Sequence, residues 1–235
     1  MATVVLVRHA RSTANASGVL TGRLKGVHLD DIGRSQAEHA GQRLAAVPLA
    51  RLVSSPLERC KETARALAAG QSAPVRIATD RGLVECDYGD WQGRPLKELA
   101  REKLWKVVQS HPASVTFPAG EAMAAMSARA VAAVRRHDAL VEAEHGPQAV
   151  WAAVTHGDLV KAILADALGL HLDQFQRLHV DPSSMSVIRY GPGATYVLQS
   201  NSHDGDLAWL APATGRKAPR TGVVGGGAGP AGTGH

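Results

Sequence analysis

The 235-residue sequence predicts a three-layer α/β/α fold with a mixed, mainly parallel sheet. Short β-like runs alternate with amphipathic helical patterns, which favours parallel strands joined by helices on both faces of a sheet. The last two runs are separated by a short turn only, so we expect the sheet to end in an antiparallel pair. The length suits one domain of ordinary size, or at most two small ones.

Six short runs of β-branched or apolar residues are the predicted strands. The last two flank Gly191-Pro192-Gly193, a sequence typical of a turn. The predicted strands are Thr3–Val7, Leu52–Ser54, Val75–Ala78, Ala149–Thr155, Ser186–Tyr190 and Thr195–Leu198.

Apolar residues recur at helical spacing between these strands. In 157–168 they form one stripe that Gly169 ends, as glycine often does at a helix C-terminus. Segment 86–120 breaks the alternation with turns and a helix near 95–109, and we expect it to be an insertion over one edge of the sheet. The other predicted helices cover 34–46, 57–69, 121–145 and 157–168.

The C-terminal segment differs in composition from the rest of the chain. It consists mainly of glycine, proline and small residues, so we expect one domain over 1–211 and a disordered tail over 212–235. Three basic residues of the tail account for most of the net charge of +5, since the rest has 23 basic and 21 acidic residues. Because aromatic residues make up only 4%, no nucleic-acid partner is expected.

The composition also indicates in which cellular compartment the protein works. No apolar run is long enough to cross a bilayer, and the N-terminal run Val4–Val7 is too short for a secretory signal. Two cysteines, Cys60 and Cys86, show no CxxC spacing and cannot build a disulfide scaffold. We therefore expect a cytoplasmic protein that does not associate with membranes.

Reactive side chains follow three of the predicted strands. Arg8 and His9 follow the first, Arg59 lies one helical turn after the second, and His156 follows the strand that ends at Thr155. Because sites in open α/β sheets lie at the carboxyl ends of strands, we expect these residues to converge on one edge, under the insertion. No HxH or HExxH spacing accompanies them, and we expect neither a metal nor an organic cofactor.

Guanidinium groups beside a helix N-terminus select a doubly charged tetrahedral anion, so phosphate is the natural ligand. A neutral imidazole beside it can attack phosphorus and form a phosphohistidine. A second histidine can stabilise the oxygens of the transferring group. Glu85 is our candidate for the acid that protonates the leaving oxygen, and Asp87, Asp90 and Glu121 are the alternatives.

The residues also resemble a known family. The segment LVRHARSTAN at 6–15 resembles the LVRHGxT/SxxN signature of the histidine phosphatase superfamily, which includes the cofactor-dependent phosphoglycerate mutases. The similarity covers essentially all of 1–210 and implies a phosphoglycerate mutase-like fold. LWKVVQSHP and FQRLHVDPSSMSVIRY resemble an actinobacterial branch of mutase-like phosphatases. Further matching segments are SSPLERCKETA at 54–64, ECDYGDWQGRP at 85–95, PAGEA at 118–122 and VTHGDLVKAIL at 154–164.

This resemblance implies a role for each site residue. One departure is visible, since Ala10 stands where the family usually has glycine; a negative φ at Ala10 would leave the loop unstrained. The implied roles are His9 as phosphorylated nucleophile, Arg8, Arg59 and His156 as the phosphate pocket, Glu85 as proton donor and Asn15 as a secondary phosphate contact.

Some of these residues also have purely structural interpretations. Arg59 could be a surface cation that pairs with Glu62, and Asp158 could serve only as a favourable acid at a helix N-terminus. Glu121 could likewise be an acid at a helix start or a residue that borders the substrate. The helix near 95–109 would carry a basic face, which we interpret as salt-paired and solvated.

We therefore predict a metal-independent phosphomonoester hydrolase that acts through a phosphohistidine on a small phosphorylated metabolite. One alternative is a phosphoglycerate-type mutase, which would return the phosphoryl group to a second oxygen. The other is a non-catalytic module that binds phosphorylated ligands and would not require Glu85 or a second histidine. Besides the substrate, a second copy of the chain is a candidate partner, with which it would form a homodimer.

Overall fold

A six-stranded sheet forms the centre of the computed structural model, which describes residues 2–191 and 193–203. The strands are β1 (Thr3–Arg8), β2 (Leu49–Ser54), β3 (Ile77–Thr79), β4 (Val150–Thr155), β5 (Met185–Tyr190) and β6 (Thr195–Ser202). Their order is β3-β2-β4-β1-β5-β6. The first four strands in this order pair in parallel, whereas β5 is antiparallel to both β1 and β6. The predicted mixed, mainly parallel sheet is confirmed.

Helices cover both faces of this sheet. The described helices are α1 (Thr13–Ser17), α2 (Asp31–Leu44), α3 (Glu58–Ala69), α4 (Leu96–Leu99), α5 (Lys103–Ser110), α6 (Met123–His145) and α7 (Gly157–Ala167). Residues of α2 and α3 share a core with one face of the sheet, and residues of α6 and α7 share a larger core with the other. The three layers therefore agree with the sequence prediction, although α1 was not expected.

Alternation along the central strand explains why two cores form. Val4 and Leu6 lie in the core on the α6 and α7 side, whereas Val5 and Val7 lie in the core on the α2 and α3 side. Successive side chains of a strand point to opposite faces, so a strand buried on both faces needs an unbroken apolar run. The apolar run Val4–Val7 satisfies this requirement, and all six residues of β1 are buried.

Segment 86–120 departs most from the sequence prediction. The helix expected near 95–109 is two short helices, α4 and α5, because Glu102 adopts an extended backbone between them. Leu99 and Val108 are both fully buried in the same core. Nine residues at 100° each would place them on opposite sides of one continuous helix, so the break lets both face the core.

The break also changes the expected basic face. Arg94 donates from Nη2 to Oε1 of Glu102 at 2.7 Å, so the residue that interrupts the helix is an ion-pair partner. Within the segment, Gly89 lies against Pro118: its φ is +51°, and a Cβ there would lie 2.0 Å from the carbonyl oxygen of Pro118. Only glycine fits this approach without a local shift.

The expected tail over 212–235 lies outside the described residues. In the described part of the chain, no helix combines the length and the apolar character needed to span a membrane.

Candidate active site

The carboxyl ends of three neighbouring strands lie level with one another. Arg8 of β1 pairs in register with Thr155 of β4, and Ser54 of β2 pairs with Val154. The backbone N–H of His9 donates to the carbonyl of Thr155 at 2.8 Å, which extends this register by one residue. The residues that follow the strands are therefore brought to one edge, as the sequence predicted.

His9 and His156 meet at this edge. Their ring centroids are 5.3 Å apart, with an interplanar angle of 65°. Arg59, in the first turn of α3, lies between them: its Nε donates to Nε2 of His9 at 3.2 Å and its Nη2 lies 3.1 Å from Nδ1 of His156. All three side chains are buried, so the cluster is shielded from bulk water.

The contacts of His9 define its protonation. Its Nδ1 lies 2.8 Å from the carbonyl oxygen of Ala10, and because a carbonyl only accepts, Nδ1 carries the proton. Nε2 then has a free lone pair, in agreement with its position as an acceptor from Arg59. The backbone of Ala10 does not have a positive φ, so alanine fits here without strain.

The electrostatic surroundings keep His9 neutral. Burial lowers its pKa well below the usual value, and the charges of Arg59 and Arg8 lower it further. A neutral imidazole with an unprotonated Nε2 is the form that can act as a nucleophile.

Arg59 is the main cationic group of the cluster. It is only 1% exposed, and its Nη2 also donates to the carbonyl of Gly22 at 2.9 Å. Its Nη1 is buried and has no hydrogen-bond partner among the described residues. A buried guanidinium donor without a partner is costly, and an anion would satisfy it. The alternative of a surface cation paired with Glu62 does not hold, because Glu62 accepts from the backbone of Leu29 instead.

His156 is the N-cap residue of α7 and is fully buried. Because Arg59 can only donate, Nδ1 of His156 accepts, and Nε2 carries the proton and donates to Oγ of Ser55 at 2.8 Å. Burial and the neighbouring charge of Arg59 lower the pKa of His156 well below its usual value.

Glu85 reaches the cluster from the loop that follows the 3₁₀ turn Arg81–Leu83. Its Oε2 lies 3.8 Å from Nδ1 of His156, and its Oε1 accepts from the backbone N–H of Cys86 at 2.9 Å. Burial, followed by the negative charge of Asp158, raises the pKa of Glu85 to about 7. A carboxyl group with this pKa holds a proton near neutral pH and can release it, as a general acid requires.

Asp158 does more than favour a helix N-terminus, the role predicted from the sequence. It is fully buried, and its Oδ2 accepts from the hydroxyl of Tyr88 at 2.7 Å. Its Oδ1 lies 3.9 Å from Nζ of the buried Lys161. The sequence offered little signal for this network, since Tyr88 and Asp158 are 70 residues apart.

Arg8 and Asn15 both make hydrogen bonds to other groups of the protein. Arg8 is 1% exposed, its Nη1 donates to the carbonyl of Val180 at 2.8 Å, and burial lowers its pKa. The side-chain oxygen of Asn15 accepts from the backbone N–H and the hydroxyl of Ser12, at 3.0 and 2.9 Å. These bonds form a capping box at α1, so that oxygen is already engaged.

Glu121 is not free to act as an acid. Its carboxylate pairs with Arg129 at 2.7 Å and with Arg23 at 2.9 Å, and these interactions lower its pKa despite partial burial. A carboxylate held in its charged form by two guanidinium groups is a poor proton donor. Among the acidic alternatives that the sequence left open, Glu85 is the one that is buried against the histidines.

Within the described part of the chain, no group of three histidine, cysteine, aspartate or glutamate side chains is placed to hold a metal ion. The arrangement instead offers a nucleophilic nitrogen, an unsatisfied guanidinium donor and a carboxyl group that titrates near neutral pH. Sequence reasoning missed Ser55, Arg23 and Arg129, which act through long-range contacts; only Ser55, directly after β2, carried a positional signal.

Comparison with known proteins identifies a family and several relatives that match most of the chain. The model of the histidine phosphatase superfamily (branch 1) matches residues 4–203. Phosphoserine phosphatase 1 of Hydrogenobacter thermophilus is 31% identical over 204 residues, which cover 86% of this chain and 92% of that protein. Phosphoglycerate mutase-like protein 4 of Arabidopsis thaliana is 32% identical over 166 residues, 69% of each chain. The solved structure of Bacillus stearothermophilus YhfR has a TM-score of 0.77 at 26% identity and covers 87% of this chain and 98% of its own.

Proposed function

The chain belongs to the histidine phosphatase superfamily and is a phosphomonoester hydrolase that works through a phosphohistidine, and we propose that His9 carries the phosphoryl group. The observation that carries this assignment is the geometry around Nε2 of His9. That nitrogen is unprotonated, buried and within 3.2 Å of Arg59, whose Nη1 lacks a partner among the described residues. A phosphate dianion placed there would satisfy the guanidinium and bring phosphorus to the nucleophile.

In the first step, Nε2 of His9 attacks phosphorus in line and the bond from phosphorus to the ester oxygen breaks. The protonated form of Glu85 donates its proton to the leaving oxygen, and the alcohol departs. Arg8 and Arg59 balance the charge of the transferring group. Once the dianion displaces Nη2 of Arg59, the neutral ring of His156 changes tautomer, so that Nδ1 holds the proton and donates to the phosphoryl oxygens while Nε2 accepts from the hydroxyl of Ser55.

In the second step, water replaces the alcohol. Glu85, now a carboxylate, takes a proton from water as its oxygen attacks phosphorus, and the bond between phosphorus and Nε2 breaks. The products are inorganic phosphate and neutral His9, and Glu85 is protonated again. No net proton is lost in the cycle, so the site returns to its starting state.

The substrate is a small phosphorylated metabolite, and its identity depends on residues outside the phosphate pocket. Segment 86–120 directly follows Glu85 in the chain, and we propose that it covers the site and selects the alcohol part of the substrate. We also propose a cytoplasmic location, which the two buried free cysteines, Cys60 and Cys86, support. Asn15 remains a proposed secondary contact to phosphate through its amide nitrogen.

The test separates hydrolysis from mutase activity and from simple binding. Purified protein is incubated with 4-nitrophenyl phosphate, phosphoserine and 3-phosphoglycerate, with and without EDTA, and both inorganic phosphate and phosphorylated products are measured. We expect phosphate release that EDTA does not reduce. Conversion of 3-phosphoglycerate to an isomer, with less than stoichiometric phosphate, would indicate the mutase instead, and binding without turnover would indicate the module.

A further inference from the structure

The backbone carbonyl of Glu85 accepts hydrogen bonds from two arginine side chains. Nε of Arg23 donates to it at 2.9 Å, and Nη2 of Arg129 donates to it at 3.1 Å. Glu121 lies between the two arginines: its Oε1 accepts from Nε of Arg129 at 2.7 Å, and its Oε2 accepts from Nη2 of Arg129 and of Arg23, both at 2.9 Å. We name this trio, Arg23, Glu121 and Arg129, the clasp.

The clasp also holds the residues on either side of Glu85. Nη1 of Arg129 donates to the carbonyls of Gly82 and Val84, at 2.9 and 2.6 Å. On the other side, the backbone N–H of Glu121 donates to the carbonyl of Asp87 at 2.8 Å. The loop that carries Glu85 follows the turn Arg81–Leu83 and lies outside the described strands, so side chains supply the donors that a neighbouring strand would otherwise provide.

The carboxyl group of Glu85 itself is held weakly. Within the described part of the chain, its one hydrogen bond is accepted from the backbone N–H of the next residue, Cys86, and its Oε2 lies 3.8 Å from Nδ1 of His156. The position of the carboxyl group therefore depends on where the backbone is placed. A displacement of about 1 Å of a catalytic group costs on the order of a hundredfold in rate, because proton transfer needs direct hydrogen-bond contact.

We propose that the clasp is a positioning device for proton transfer, which sets Glu85 against the leaving oxygen while the phosphate pocket stands without it. This inference rests on the proposed function, in which Glu85 is the proton donor. The clasp side chains act on the Glu85 loop, whereas the neighbouring contact to the phosphate pocket is made by the backbone: the carbonyl of Gly22, the residue before Arg23, accepts from Nη2 of Arg59.

The experiment compares two leaving groups, since a nitrophenolate departs without a proton and an alkoxide does not. We would measure kcat/KM for 4-nitrophenyl phosphate and for glycerol 3-phosphate in the wild type, Arg129→Lys and Glu121→Gln. Both variants break the clasp, so we expect a loss on the order of tenfold to a hundredfold with the alkyl ester and a loss below about threefold with the aryl ester. The control is Glu144→Gln, which removes an exposed ion pair with Arg51 at the far end of α6 and should change neither rate.

A pH–rate profile distinguishes an effect on the position of Glu85 from an effect of the Arg129 charge on the pKa of Glu85. Arg129→Lys retains the positive charge, so the basic limb of the pH–rate profile for the alkyl ester should stay in place while the rate falls. Arg129→Met removes a charge that lowers the pKa of Glu85. The basic limb of this second variant should therefore move to higher pH. The other ionisable groups that act on Glu85 are unchanged in both variants. They are Asp158, Arg59, His156, Arg8, Tyr88, Lys161, Cys60 and Cys86.

Equal losses with both esters, or no loss with either, would overturn the inference. If the Arg129 variants do not fold, as a thermal melt would show, Arg23→Lys provides the same test, because the Arg23 side chain is 33% exposed and tolerates change better. Failure of the proposed function would look different: the wild type would release no phosphate, or Glu85→Gln itself would slow both esters equally.

Discussion

The phosphate pocket and the loop that carries Glu85 are built in different ways. The pocket residues His9 and His156 follow central parallel strands whose ends are fixed by the register of the sheet. The Glu85 loop follows the three-residue edge strand β3 and is held by side chains that donate to its carbonyls. Nucleophilic attack therefore depends on the core, whereas proton donation depends on a few polar contacts. Substitutions should separate the two steps.

The largest expected effect comes from the pocket. His9→Ala removes the nucleophile, so turnover of aryl and alkyl esters alike should fall by about 10³-fold or more. Radiolabelled phosphate trapped on the wild-type protein in an alkaline quench should be acid-labile and absent from the variant. Label that persists at another residue in His9→Ala would contradict the assignment of His9 as the phosphorylated residue.

The Glu85 loop should show a selective effect. Glu85→Gln keeps the shape of the side chain but cannot donate its proton, so kcat/KM for glycerol 3-phosphate should fall by ~10²–10⁴-fold. The loss with 4-nitrophenyl phosphate should be much smaller, because that leaving group needs no proton. Equal losses would mean that Glu85 only orders the Gly89–Trp91 turn.

The same contrast explains what the sequence could reveal. The parallel strands and their helices follow from local periodicity, and residues after strand ends follow from the rule that parallel strands end at one edge. Local pattern and this rule together are therefore sufficient to bring His9, Arg59 and His156 to one place. Their roles came from the family resemblance rather than from the pattern.

The rest depends on contacts between residues distant in sequence. Arg23 and Arg129 reach Glu85 from 62 and 44 residues away, and no local pattern marks either one as a neighbour of the acid. The break between α4 and α5 is similar: a periodic apolar pattern predicted one helix, but burial of both Leu99 and Val108 in one core required two. Tertiary packing overrode the local signal in both cases.

Protein stability should also separate the two regions, with opposite pH dependence. The pKa of Glu85 rises from 4.5 to about 7 on folding, so its ionisation destabilises the folded state as pH rises from about 4.5 through 7. The lowered pKa values of His9 and His156 act in reverse, since protonation of the unfolded chain destabilises the fold as pH falls below 6.5.

Denaturant unfolding of Glu85→Gln can test this. The variant stays neutral, whereas the wild-type carboxyl group is charged and buried at pH 8, so at that pH the free energy of unfolding of the variant should exceed that of the wild type by on the order of a few kcal/mol. At pH 3.5 the difference should disappear, because the wild-type residue is then protonated in both the folded and the unfolded state. A difference that is independent of pH would show that the substitution acts through packing or hydrogen bonding.

The smallest expected effect is a shift in the pH profile caused by Asp158. Its negative charge follows burial as a cause of the raised pKa of Glu85, so Asp158→Asn should lower that pKa. The acid must be protonated in the first step, and activity with an alkyl ester falls as pH rises through its pKa. The basic limb should therefore move to lower pH, with little change in the aryl rate at its plateau. Tyr88→Phe is the matched control, because it removes the 2.7 Å hydrogen bond to Asp158 but leaves the charge, and its limb should stay close to that of the wild type. If both variants shifted the limb equally, the hydrogen-bonded position of Asp158, rather than its charge, would govern Glu85.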